Sequence, residues 1–378
     1  MKSSARLLVS PLRQPTASRS LTRCIHTIPP NPANVVPVYG TGPPPSPPQP
    51  PAPEATIDPR IARRRKQAEM LQTAKELRAG AKQPGGNSKQ TLLKKRFWKD
   101  VTVNEVDDCL EVHLDTRPLR HPTTKDVIRL PKSKPNLAFA LALEWDMLTS
   151  AQQATKHHLI PLTSTVCRAL DIRADDDKKG EIRKNIVTTV LRYLDTDTLL
   201  CFAAPPDPNN PVLASSQLND AGRSLRSVQE EVAVEIIGFL TSNVWPGVEI
   251  NPVLDGESIM PKAQKPGVRE IIEGWVSGLD AWELAALERA TLAGKSLLGA
   301  ARIVAEWSEG EAGLGQRRPE NGQKRFGIEE AAKAASVEVD WQTDRWGEVE
   351  DTHDVEKEDL RRQLGSSILL VAGTGTAR

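Results

Sequence analysis

The chain changes its hydrophobic period once, at about residue 135, and this change limits the folds that it can adopt. In the segment 96–130 apolar and polar residues alternate, as at Leu110, Val112 and Leu114, and a period of two is typical of half-buried strands. After Pro135 the apolar residues recur every three to four positions, which is typical of amphipathic helices. Strands followed by helices predict an α+β fold, with a small antiparallel β-containing domain before a helical bundle.

The predicted strands form a meander whose turns are marked by polar residues. Asp107 and Asp108 fit the turn between the first two strands, because Asp adopts turn conformations readily. In the second strand Cys109, Glu111 and His113 are expected on the face opposite the apolar residues. The segments predicted to form strands are 97–103, 109–114, 117–119 and 127–130.

Four later segments have a helical spacing of apolar residues. In the first of them Leu137, Leu141, Trp145 and Leu148 form one continuous apolar stripe, as on a helix that packs one face against a core. The last segment is rich in Ala and Leu and is predicted to be one helix or a hairpin of two. The segments are 136–152, 181–194, 224–240 and 281–307.

The N-terminal part of the chain differs from the rest in composition. The first 53 residues contain no Asp or Glu and are rich in Arg and Ser, which is typical of mitochondrial transit peptides. Of the 30 prolines, 14 precede Glu54, and Pro-rich segments favour extended conformations over a packed core. The first 90 residues carry 14 basic and 4 acidic side chains, whereas the other 288 carry 36 and 45. The body of the protein is therefore acidic.

These patterns divide the chain into four predicted parts. Residues 1–38 are predicted to be a transit peptide that directs the protein to the mitochondrial matrix, and residues 39–90 a Pro-rich and basic disordered linker. A β-rich N-terminal domain is expected at 91–175 and a helical C-terminal domain at 176–378. Within the helical domain, the Gly-rich segment near 308–325 is predicted to be an inserted loop.

Several classes of function lack their usual signals. No run of about 18 apolar residues is present, so no membrane insertion is expected. Dinucleotide-binding, P-loop, nucleophile-elbow and zinc-protease motifs are also missing, so no cofactor and no metal are expected. Cys24, Cys109, Cys167 and Cys201 lack a CxxC spacing and are predicted to be buried reduced thiols. Nucleic acid is not an expected partner, because the basic stretch 60–99 belongs to no known binding module and the acidic body would repel phosphate.

The densest acidic segment lies near the C-terminus. The window 338–359 contains ten acidic and two basic residues, together with Trp341 and Trp346. Glu350 and His353 have the spacing of half a di-iron site, but no second such pair exists. Three interpretations remain open at this stage. The first is the solvated start of a helix with Trp346 in the core. The second is an enzyme site for acid–base or metal chemistry, and the third is a protein-binding surface with aromatic anchors.

Two other acidic clusters are interpreted as structural. Glu144 and Asp146 flank Trp145, which lies in the apolar stripe of the first predicted helix. Asp195 follows a predicted helix, and Asp197 lies in the next loop, where a carboxylate can accept hydrogen bonds from backbone N–H groups.

Seven motifs, taken together and in order, resemble a mitochondrial chaperone family that assembles the catalytic sector of ATP synthase by binding its alpha subunit. The resemblance covers essentially the whole body, although the sequence departs from the family pattern at Trp98 and at Cys167 and Arg168. The motifs are Arg96-Phe97-Trp98-Lys99-Asp100-Val101, Leu114-Asp115 with Arg117-Pro118-Leu119 and Pro122-Thr123, Glu144-Trp145-Asp146, Pro161-Leu162-Thr163, Leu170-Asp171, Leu194-Asp195-Thr196-Asp197, and Trp346-Gly347 with Glu350 and His353-Asp354.

The resemblance implies a monomeric matrix chaperone that is not an enzyme and needs no ATP. It implies that the protein binds the unassembled ATP synthase alpha subunit and covers the surface that the beta subunit later occupies. The family's sensitive region corresponds to a set of expected partner-binding residues, among which Glu350 is the strongest candidate. The alternative is a matrix hydrolase or metal enzyme that uses Glu350, His353 and Asp354. The expected partner-binding residues are Trp346, Glu348, Glu350, Asp351, His353 and Asp354.

Overall fold

The computed structural model describes residues 95–206, 209, 218–219, 221–314, 325–349 and 352–372. The predicted transit peptide and linker lie outside the described residues. So do residues 315–324 of the predicted loop.

A small antiparallel sheet comes first in the described chain, as predicted. Strands β1 (Val101–Val106) and β2 (Cys109–Leu114) pair along their whole length. Strands β3 (Arg117–Pro118) and β4 (Arg129–Pro131) both pair with β2. Asp107 and Asp108 have φ values of 48° and 63°, as a two-residue hairpin turn with the twist of the flanking strands requires. The predicted turn is therefore confirmed.

Helices make up most of the remaining structure, and together with the sheet they confirm the α+β class. Their starts follow from local sequence: α1 and α2 begin with a proline, whose fixed φ suits the first helical turn, and Asp280 and Glu283 form a capping box at the start of α6. The helices are α1 (Pro135–Asp146), α2 (Pro161–Asp176), α3 (Glu181–Arg192), α4 (Leu225–Asn243), α5 (Val268–Gly278), α6 (Ala281–Gly294), α7 (Leu297–Trp307), α8 (Ile328–Trp346) and α9 (His353–Val371).

Helix α6 lies at the centre of the helical part and packs against α2, α7 and α9. The predicted helical segment 281–307 is a pair of helices, α6 and α7. Lys295 ends α6 in the left-handed region with φ 53°, and Ser296 caps α7 by accepting a hydrogen bond from the N–H of Gly299 at 2.9 Å. The hairpin alternative is therefore the observed one.

The sheet and the helices share one hydrophobic core. The ring centroids of Trp98, before β1, and Trp145, in α1, lie 5.5 Å apart, and both side chains are buried. Helix α1 ends at Asp146, earlier than predicted, and short 3₁₀ turns lead from it to α2. The domain boundary expected between residues 175 and 176 falls in the last turn of α2, so no linker separates the two parts at that point.

The start of the predicted 308–325 loop is anchored by a buried carboxylate. Glu283, which is 2% exposed, accepts hydrogen bonds from the Ser308 hydroxyl and from the N–H of Ala312 at 3.1 Å. Of the described cysteines, Cys167 is buried as predicted, whereas Cys109 and Cys201 are partly exposed, and all three are free thiols. No helix within the described ranges is long and apolar enough to cross a membrane.

Candidate functional site

The acidic C-terminal segment forms the connection between α8 and α9. We call its described residues, 338–349 and 352–359, the acidic tip. Three of its apolar side chains are largely exposed: Trp346 at 78%, Val349 at 56% and Val355 at 62%. Gly347 ends α8 with a φ of 86° and donates its N–H to the carbonyl of Thr343. The interpretation of Trp346 as a core residue is therefore wrong, because its side chain faces solvent.

A lysine links the two helices at the acidic tip. The Lys357 ammonium lies 3.1 Å from Glu348 Oε1 and 3.5 Å from Asp340 Oδ1. The hydrogen bond from Lys357 lowers the pKa of Glu348, and the same bond raises the pKa of Lys357. His353 accepts a hydrogen bond at Nδ1 from the N–H of Val349, at 3.2 Å. These contacts hold the connection in place while leaving most of its acids exposed.

Of the six residues expected to bind a partner, the structure describes four. Trp346, Glu348 and Asp354 are exposed, and His353 is partly buried by its contact with Val349. Glu350 and Asp351 lie outside the described residues. Among the side chains that are described, no group of three or more His, Cys, Asp or Glu residues is placed to hold a metal ion.

A second exposed apolar surface lies on α1, and the sequence interpretation missed it. Phe139 and Leu143 in α1, and Met147 directly after its last residue, are 63%, 60% and 72% exposed and are spaced four residues apart on one side. We call these three residues the α1 apolar face. Each stands two positions after a residue of the predicted stripe, which places it on roughly the opposite side of the helix. The sequence signal that could have revealed this surface is that α1 is apolar on two faces, of which the core can cover only one.

The acidic cluster around Trp145 holds α1 against the start of α2. The Glu144 carboxylate accepts hydrogen bonds from the N–H groups of Leu162 and Thr163, both at 2.8 Å. It therefore caps a helix other than its own. Burial raises the pKa of Glu144, and its hydrogen bonds oppose that shift. Trp145 donates its Nε1–H to the Thr163 hydroxyl at 2.9 Å, and Asp146 accepts from Arg96.

Asp197 plays a similar part deeper in the protein. It is fully buried, and its two carboxylate oxygens accept from the N–H groups of Leu199 and Leu298, each at 3.0 Å. Burial raises the pKa of Asp197 to about 6, against the opposing effect of its hydrogen bonds. Asp195, two residues earlier, is exposed and forms an ion pair with Arg269 of α5.

Comparison with known proteins shows a matching family and similar relatives. Residues 95–241 match the family described as ATP12 chaperone protein. The "Protein atp12, mitochondrial" of Schizosaccharomyces pombe is 30% identical over 286 residues, which cover 73% of this chain and 81% of that protein. The "Protein ATP12, mitochondrial" of Saccharomyces cerevisiae is 29% identical over 303 residues, covering 76% and 86%.

The fold also has a solved counterpart. The crystal structure of Atp12 from Paracoccus denitrificans superimposes with a TM-score of 0.51 and 22% sequence identity. The similarity covers 74% of this chain and 98% of that one. The strands-then-helices architecture described above is thus shared with that protein.

Proposed function

Because the chain belongs to the ATP12 chaperone family, we propose that it is a chaperone for assembly of the catalytic sector of the mitochondrial ATP synthase. In this proposal it acts as a monomer in the matrix and is not an enzyme. It binds the unassembled alpha subunit and shields it until the beta subunit takes its place. The acid-free, Arg-rich leader and the mitochondrial names of the two yeast relatives support the location.

The observation that supports this function best is the pair of exposed apolar surfaces. An unpaired subunit of an obligate complex exposes a large apolar interface that tends to aggregate. A chaperone without ATP must cover that interface with apolar residues of its own. The α1 apolar face supplies three large side chains that are 60–72% exposed, and burying each would contribute about 1–2 kcal/mol.

This free energy explains why the α1 apolar face alone is insufficient to hold the alpha subunit and why the beta subunit can later take its place. Association costs at least about 4 kcal/mol in lost freedom of motion, so about 3–6 kcal/mol from the α1 apolar face gives weak binding at most. The acidic tip adds Trp346, a large exposed aromatic side chain of the kind that dominates interfaces. Its exposed carboxylates suit Arg and Lys side chains of the alpha subunit and would orient it during encounter. Each contact is moderate on its own, so a competing subunit can displace the two contacts one after the other.

The test is to produce the alpha subunit alone or together with the chaperone and to measure how much alpha subunit remains soluble. We expect the wild-type chaperone to keep it soluble and to co-purify with it. Trp346→Ala, Glu350→Gln and Leu143→Asp should each reduce the captured amount. Val234→Asp and Glu273→Gln are matched controls, because Val234 is 70% exposed on α4 and Glu273 is exposed on α5.

Two results would contradict the proposal. If the alpha subunit is insoluble both with and without the wild-type chaperone, the proposed client is wrong. If all three site variants capture as much alpha subunit as the two controls, the client does not use these surfaces. Circular dichroism of each variant distinguishes loss of binding from loss of folding.

A further inference from the structure

Lys134, the residue directly before α1, contacts the end of the last helix. Its ammonium donates hydrogen bonds to the carbonyl oxygens of Leu370, at 2.9 Å, and of Val371, at 3.3 Å. Both carbonyls lie in the last turn of α9, where a helix has acceptors without partners of its own and where its dipole favours a cation. We call these two hydrogen bonds the Lys134 bridge. It joins α1 to α9 across 236 positions of sequence.

The Lys134 ammonium lies in a partly buried environment. Burial lowers the pKa of Lys134, against the opposing effect of the Asp280 and Glu309 carboxylates. The ammonium also lies 5.8 Å from the ring centroid of Trp282 in α6, close enough for a cation–π contact. A cation is more costly to bury than an apolar side chain. It does, however, supply direction, because hydrogen bonds to two fixed carbonyls permit one placement of α1, whereas apolar surfaces can slide.

The Lys134 bridge lies between the two surfaces that are proposed to bind the alpha subunit. The α1 apolar face begins at Phe139, in the second turn of α1. The acidic tip includes the other end of α9, which is about 28 Å away along a helix of 19 residues. Helix α9 packs mainly against α6 and α2, whereas α1 packs mainly against the sheet. Direct packing between α1 and α9 is therefore limited, and the bridge supplements it.

We propose that Lys134 is a positioning residue, which fixes the α1 apolar face relative to the acidic tip so that both surfaces contact one alpha subunit simultaneously. This inference rests on the proposed function. Without the bridge, a rotation of about 10° between α1 and α9 would displace the tip by about 5 Å relative to α1. That distance exceeds the tolerance of a hydrogen bond. Two linked surfaces strengthen each other only if the geometry lets both engage.

The first test measures how fast the alpha subunit leaves the chaperone. A complex of alpha subunit with tagged full-length chaperone is purified and mixed with an excess of untagged wild-type chaperone, and the loss of alpha subunit from the tagged protein is followed. Lys134→Met removes the ammonium while keeping an unbranched side chain, and Lys134→Arg keeps hydrogen-bond donors. Lys184→Met on α3 is the matched control, because the Lys184 side chain is 67% exposed. Circular dichroism shows that each variant is folded.

We expect Lys134→Met to accelerate exchange by about tenfold or more, because simultaneous binding by two surfaces is worth at least that factor. Lys134→Arg should restore part of the slow exchange, and Lys184→Met should not differ from the wild type. In a chain that already carries Leu143→Asp, Lys134→Met should have no further effect, since one surface is then lost and relative position no longer matters. A general loss of stability would instead accelerate exchange in both backgrounds.

The second test needs no alpha subunit. Spin labels are attached at Asn136 in α1 and Glu358 in α9, both exposed, in a full chain whose four native cysteines are replaced by alanine. Pulsed electron paramagnetic resonance then gives the distribution of distances between the labels. Lys134→Met should shift or broaden this distribution by several Å. A second pair, at Arg192 in α3 and Glu358, should not change.

Three results would overturn the role of Lys134. The first is equally slow exchange in the wild type and in a folded Lys134→Met variant. The second is an equal acceleration by Lys134→Met with and without Leu143→Asp. The third is an unchanged distance distribution between Asn136 and Glu358. A wild-type chaperone that forms no complex with the alpha subunit would overturn the proposed function itself, so the two failures are distinguishable.

Discussion

Replacing Asp197 with Asn should remove a specific pH dependence from the stability of the protein. The Asp197 carboxyl is fully buried, and its pKa rises from an ordinary 3.8 to about 6. Folding therefore favours the protonated acid. The stability that this group contributes is complete below pH 3.8 and is lost as the pH rises through 6. One pKa unit corresponds to about 1.4 kcal/mol, so the total loss is about 3 kcal/mol.

The measurement is the free energy of unfolding in urea for the wild type and for Asp197→Asn, from pH 5 to pH 8. About half of the total loss remains to be seen above pH 5. Other titrating groups contribute equally to both proteins and cancel in the difference. Asn also loses one of the two N–H hydrogen bonds, but that offset is independent of pH. The wild type should therefore become less stable relative to the variant as the pH rises.

A difference that stays constant over this range would refute the reasoning. A difference of opposite sign would show that the hydrogen bonds from Leu199 and Leu298 outweigh burial and hold the pKa of Asp197 below 3.8. A direct titration of the Asp197 carboxyl carbon by NMR gives an independent value. Agreement between the two experiments would establish that the ionised Asp197 carboxylate lowers the free energy of unfolding above pH 6.

Three further predictions concern the caps and the exposed surfaces. Glu144→Gln should lower the free energy of unfolding by about 1–2 kcal/mol in urea titrations, because it loses one acceptor at the start of α2; no change would mean that the amide caps equally well. Trp346→Ala should leave the unfolding free energy within about 0.5 kcal/mol of the wild type, since the side chain is 78% exposed, and a larger loss would place Trp346 against the core. Leu143→Asp should unfold at nearly the wild-type temperature, whereas Leu141→Asp, at a fully buried position, should not fold; equal thermal shifts would contradict the assignment of the two faces.

The order of strands and helices could be predicted because each signal is local. Each signal spans fewer than ten residues: the alternation at Leu110, Val112 and Leu114, and the stripe from Leu137 to Trp145. Their period directly reflects which side of the element is buried. Local signals of this kind were sufficient for the α+β class and for the hairpin turn.

Helix α2 was harder to predict than the other helices of the core, because burial on several sides removes the periodic signal. Helix α2 was not predicted, and its buried residues include Thr163, Thr165 and Cys167 beside Leu162 and Val166. Polar and apolar residues are thus buried together, and the sequence shows no clear stripe. The fold explains this pattern, because α2 lies against both α6 and α9.

The exposure of individual residues depends on tertiary packing and could not be derived from local pattern. Trp346 and Leu143 have the composition of core residues, yet both face solvent.

The caps made by Glu144 and Asp197 also determine how the protein can open. In most helices the first N–H groups are capped by a neighbouring side chain and exchange their hydrogen with water by fraying. Here the N–H groups of Leu162, Thr163 and Leu298 are bonded to carboxylates 18 to 101 residues away. These amides can exchange only when whole elements separate. Their hydrogen-exchange rates should therefore report the opening of the sheet-proximal helices and of the helical centre as cooperative units.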